Sequence, residues 1–96
     1  MSLFIVVAKH SPESCPAGDP EKGKMLLSLI DQVNASKFGI KIQAKVGAES
    51  QHTLHMIMEA GDSKKVDEFM TPFTQMGSVE VTAAISCEAI VERGRC

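Results

Sequence analysis

The chain has no tryptophan and no tyrosine, and its only aromatic residues besides histidine are four phenylalanines. Single-stranded nucleic acids are held by bases stacking on aromatic platforms over a basic surface. Here the platform is missing and the formal charge is −2. Nucleic-acid binding is therefore not expected. No tract of like charge or low complexity occurs, which argues against disorder and against a general attraction to anionic lipid. Long apolar runs are missing too. The longest, Leu3 to Ala8, is far short of the ~20 residues that span a bilayer. It follows no basic n-region, so it makes a poor signal peptide, and the expected compartment is the cytoplasm, away from membranes. The three cysteines, Cys15, Cys87 and Cys96, contain no Cys-x-x-Cys pair. An odd, widely spaced set opposes a disulfide framework or a self-contained zinc knuckle and fits free thiols. Glycine-rich phosphate loops are absent.

What is present is an ordinary globular composition, 44% hydrophobic and 23% charged, in 96 residues. That is one domain, residues 1–96, with no room for a second core. The first stretch, from about Ser2 to His10, is near-continuously apolar, as a central strand covered on both faces would be. It runs into a loop stiffened by Pro12 and Pro16. Asp19-Pro20-Glu21 then opens a helix, with Asp19 as N-cap and Pro20 at the first helical position. Leu26, Leu29, Ile30 and Val33 follow the spacing of one apolar stripe, and Gly39 is a natural residue to end the helix. The period then changes. Ile40, Ile42, Ala44 and Val46 alternate with polar residues as a half-exposed strand. A second strand, from about Thr53 to Ala60, puts Leu54, Met56, Met58 and Ala60 on one face. Asp62 or Ser63 caps another helix carrying Val66, Phe69, Met70 and Phe73. Pro72 predicts a kink or break near Met70-Thr71. Val79, Val81, Ala83 and Ile85 alternate as a last strand. The tail from Cys87 reads equally as a short helix or an edge strand. Methionines 25, 56, 58, 70 and 76 read as core gap-fillers.

Strand, helix, strand, strand, helix, strand with right-handed crossovers is a ferredoxin-like α+β plait. Its antiparallel sheet has the order 4-1-3-2, with both helices on one face. In that order the end of strand one meets the start of strand three. His10 would then approach His52, Thr53 and His55, with Cys15 on the loop above and Glu80 near the start of strand four. If Leu3, Ile5 and Val7 face the helices, Phe4, Val6, Ala8 and His10 face the open side with His55, Ile57 and Glu59. An open face carrying Phe4, Val6, Ala8, Ile57 and Ala84 needs a cover. A second copy packing sheet to sheet would supply it, so a homodimer enclosing a cavity is expected.

A plait of this length with an apolar open face resembles the dimeric α+β barrel superfamily. That group includes small cofactor-free monooxygenases, muconolactone isomerases and stress-responsive barrel proteins. The segments His10-Ser11-Pro12-Glu13-Ser14-Cys15-Pro16 and Gly77-Ser78-Val79-Glu80-Val81 are similar to those of small uncharacterised bacterial and archaeal proteins of this kind. Heavy-metal-associated domains share the topology and bind metal in the loop after strand one, but through a Cys-x-x-Cys that this chain lacks.

Three uses of the strand-end residues are expected. The first is a small-ligand or metal site in which His10, Cys15 and His55 hold a divalent transition metal such as zinc. His52 is a further candidate donor, with Glu13 or Glu80 as a carboxylate. The second is a cofactor-independent monooxygenase or isomerase working on a small organic substrate. There His10 or His55 is the general base, Glu59 or Glu80 orients it, and Cys15 is a possible nucleophile. The third is a non-catalytic sensing or structural dimer, in which His10 is a satisfied strand-end residue and His52 is solvated in a turn.

Overall fold

The computed structural model describes residues 2–15 and 18–95. Pro16 and Cys96 therefore lie outside the described residues. The elements are β1 (Ser2–His10), a 3₁₀ turn (Pro12–Ser14), α1 (Pro20–Leu29), α2 (Gln32–Ser36) and β2 (Lys41–Ala48). A second 3₁₀ turn (Glu49–Gln51), β3 (Thr53–Ala60), α3 (Ser63–Thr74), β4 (Gly77–Ala84) and α4 (Cys87–Arg93) complete the chain. All strand pairs are antiparallel, in the order β2-β3-β1-β4. The fold is the ferredoxin-like α+β plait, with β1 central between β3 and β4. Among the described residues, no helix is long and apolar enough to cross a membrane.

The core lies between one sheet face and the helices. Phe4, Val6 and Ala8 of β1 are buried in it beside Met56, Met58 and Ala60 of β3 and Val66, Phe69, Met70 and Phe73 of α3. This reverses the expected orientation of β1. Phe4, Val6 and Ala8 face the helices, and Leu3, Ile5 and Val7 face the open side. Both sets are apolar, so alternation alone could not choose between them. The two aromatic and branched residues that fit under α3 made the choice by packing.

Three local features re-aim side chains. First, the expected single long helix is two. Asp31 accepts from the amide of Asn34 at 2.8 Å and starts α2, while the Asn34 side chain donates to the Leu29 carbonyl at 2.8 Å. The break shifts the helical phase, so Ala35 is fully buried and Val33 is 73% exposed. Gly39, at φ 71, then closes α2. Its amide donates to Ser36 and that of Ile40 to Ala35, the paired bonds of a Schellman stop. Second, β2 carries a bulge between Ile42 and Ala44. An extra residue inverts the side-chain parity beyond it. Ala44 and Val46 therefore leave the expected core face for the open face. Lys45 turns to the helix side and donates to the Ile30 carbonyl at 3.0 Å, at the negative end of α1. Third, α3 runs unbroken through Pro72. The proline sits in the last turn on the exposed side, so little helix remains beyond it to be disrupted. The tail resolves as a helix, α4, capped by Ser86 and stopped at Gly94. Met25 is also not a core residue: it is exposed on α1.

The open sheet face carries Leu3, Ile5 and Val7 with Ala44, Val46, Ile57 and Ala84. Ile5, Val46 and Ile57 are exposed there. The apolar open face is thus present, but built from different residues of β1 and β2 than alternation suggested.

Candidate functional site

His10 is the last residue of β1, and it stands opposite Gly77 of β4. On its other side the antiparallel register continues from Lys9–Thr53 to His10–His52, where the His10 amide donates to the His52 carbonyl at 3.2 Å. The two imidazoles meet edge to face, with ring centroids 5.3 Å apart. His52 closes the Glu49–Gln51 turn in a left-handed conformation, φ 48 and ψ 46. Among the described residues it is the one non-glycine residue with positive φ. That conformation costs a residue other than glycine or asparagine free energy and tends to mark functional positions. It holds His52 in the turn rather than in β3, at the end of the sheet where His10 stands.

Cys15 follows the Pro12–Ser14 turn, its amide donating to the Pro12 carbonyl at 3.3 Å. This brings a half-buried free thiol over the histidine pair. One ligand atom each from His10, Cys15 and His52 lies within 4.8 Å of the others. Zinc bonds of 2.0–2.3 Å in a tetrahedral site set donor separations of about 3.3–3.8 Å. From the 4.8 Å limit, the cluster would need to close by up to about 1–1.5 Å. These three donors could hold a metal ion.

Two properties of His10 suit that role. Its Nε2 atom is buried and has no hydrogen-bond partner among the described residues. A buried polar atom without a partner costs stability, and a ligand bound to it would relieve that cost. Burial, and secondarily the neighbouring His52, also lowers its pKa below the ordinary 6.5. This favours the neutral imidazole, which is the form that coordinates metals.

The site opens onto a cleft of about 560 Å³ between α1 and the β2–β3 connection. Leu26 and Leu27 line it from α1, Ala48 and Leu54 from the sheet, with Glu49 and Thr53 beside them. The Thr53 hydroxyl is already committed to the Gln51 carbonyl at 2.9 Å.

Other expected site residues are placed elsewhere. His55 pairs with Val7 and faces the open side, so it does not share a face with His10. The expected convergence of all three histidines is corrected to two, because His10 follows the core-facing parity of Ala8. Glu80 flanks Val7 from β4, and Glu59 pairs with Leu3, so both also lie on the open face. Glu13 lines a separate surface cleft with Lys22 and Met25. Cys87 is exposed at the start of α4. The residue that spacing undervalued is His52. Its signal was the polar Gly47–Gln51 stretch, which puts it in a turn and frees it from strand parity.

No curated protein and no solved structure matches the chain. A family model described as a domain of unknown function (DUF3303) matches residues 3–95. The chain belongs to that family.

Proposed function

We propose that this protein binds a divalent transition metal through His10, Cys15 and His52 and uses it to hold a small ligand. The observation that carries the reading is the convergence of two imidazoles and a thiol, beside a buried His10 Nε2 atom that has no hydrogen-bond partner among the described residues. Imidazole and thiolate are the donors preferred by zinc, cobalt and copper, whereas magnesium and calcium prefer oxygen. Elemental analysis of the untagged protein by plasma mass spectrometry tests it. About one first-row metal per chain is expected, falling to background in Cys15→Ser and His52→Ala and persisting in His55→Ala. Wild-type protein that stays empty after exposure to zinc and gel filtration would end the reading.

A second reading rests on the open sheet face. An apolar surface including Ile5, Val46 and Ile57 is suited to sheet-on-sheet packing against a second copy. This agrees with the likeness to dimeric α+β barrels. His55, Glu59 and Glu80 would then line an interior cavity, where a histidine base could serve a cofactor-independent oxygenase or isomerase. Light scattering after size exclusion should give twice the 10.3 kDa chain mass, and Ile57→Lys should give a folded monomer. A monomeric wild-type protein at micromolar concentration would remove the shared cavity.

A further inference from the structure

We propose that the fourth coordination position of the His10–Cys15–His52 metal site faces the α1 cleft and takes a small thiol with a short aliphatic tail. This rests on the metal reading above. Three protein donors on a tetrahedral ion leave one position for an outside ligand, the pattern of catalytic rather than structural zinc sites. Two neutral imidazoles and one thiolate leave a divalent ion with one net positive charge. A single anionic head balances it, and a centre already ligated by sulfur favours another soft donor. On binding, the thiol loses its S–H proton to solvent, and its sulfur replaces a water on the metal.

The cleft specifies the rest of the ligand. Its volume of about 560 Å³ falls within the range of small-molecule sites. Leu26, Leu27, Ala48 and Leu54 make its walls apolar. No lysine or arginine lines it among the described residues, and its one carboxylate, Glu49, would repel an anionic tail. Phosphorylated and dicarboxylic ligands therefore find no counter-charge beyond the metal. An aliphatic tail needs none.

The test uses the full chain loaded with cobalt, whose visible and charge-transfer bands report the coordination shell. It is titrated with ethanethiol, propanethiol and butanethiol at neutral pH. Each thiol should shift the bands, with affinity rising about three- to fourfold per methylene as the tail enters the cleft. Leu27→Asn, at an exposed position that leaves folding intact, should keep the cobalt spectrum and flatten that rise. Tetrahedral cobalt bands that no thiol perturbs, an affinity independent of chain length, or equal binding of butyrate would overturn the proposal while leaving the metal site standing. Protein that takes up no cobalt would overturn both.

Discussion

Phe69→Ala is expected to lower the unfolding free energy by about 3–5 kcal/mol, measured by urea denaturation. Phe69 is 2% exposed and lies at the centre of the α3 stripe. Its ring meets Phe38 edge to face at 5.5 Å. Such pairs add about 0.5–1.5 kcal/mol beyond the area they bury. Phe38 sits just after α2, so this contact ties the helix of the second half to the helix end of the first. Truncation opens a cavity there and removes the ring pair together. Domains of this size are stable by about 5–15 kcal/mol in total. The variant should therefore lose between about a fifth and all of that stability. A loss under about 1 kcal/mol would mean that the core can collapse around the gap, and that α3 does not anchor the fold.

Gly77→Ala should be strongly destabilising although it adds only one methyl group. A Cβ at that position would overlap the Lys9 carbonyl oxygen, with the Lys9 carbonyl carbon at 2.9 Å and the His10 Cα at 3.0 Å. These are backbone atoms of the central strand, which cannot rotate aside. The start of β4 must therefore separate from the end of β1, at an expected cost of about 3 kcal/mol. Because Gly77 pairs with His10, the displacement should also reach the proposed metal donors. Denaturation and metal content measured on the same preparation check both effects. Wild-type stability in the variant would show that the two strand ends separate freely, contrary to the observed register.

Much of this architecture is legible in the residue order. The Asp19-Pro20 helix start, the Gly39 stop, the cap at Asp62 or Ser63 and the α3 stripe are local, since each depends on residues within one or two turns. The strand order followed from two βαβ units and the handedness of their crossovers. That order alone brought the end of β1 to the start of β3, and with it His10 and Cys15 into the candidate site. Other features were silent for identifiable reasons. In β1 both faces are apolar, so its parity was undefined. The bulge after Ile42 leaves no mark in a stretch that already alternates. The break at Ile30-Asp31 was hidden because the apolar spacing continued through it.

The division between the two levels is clearest at the histidines. The order of residues along the chain set which elements form, how they are capped and which strand ends meet, because those depend on short-range backbone chemistry and on chirality. Only the packed structure chose His52 over His55. Burying Phe4, Val6 and Ala8 under α3 oriented β1, and that carried His10 to the helix side of the sheet. His55, paired with Val7, was left on the opposite face. His52 was released from that constraint by its left-handed turn. Which side a strand presents is decided by what fits beneath the helices, a long-range volume match that no local pattern encodes.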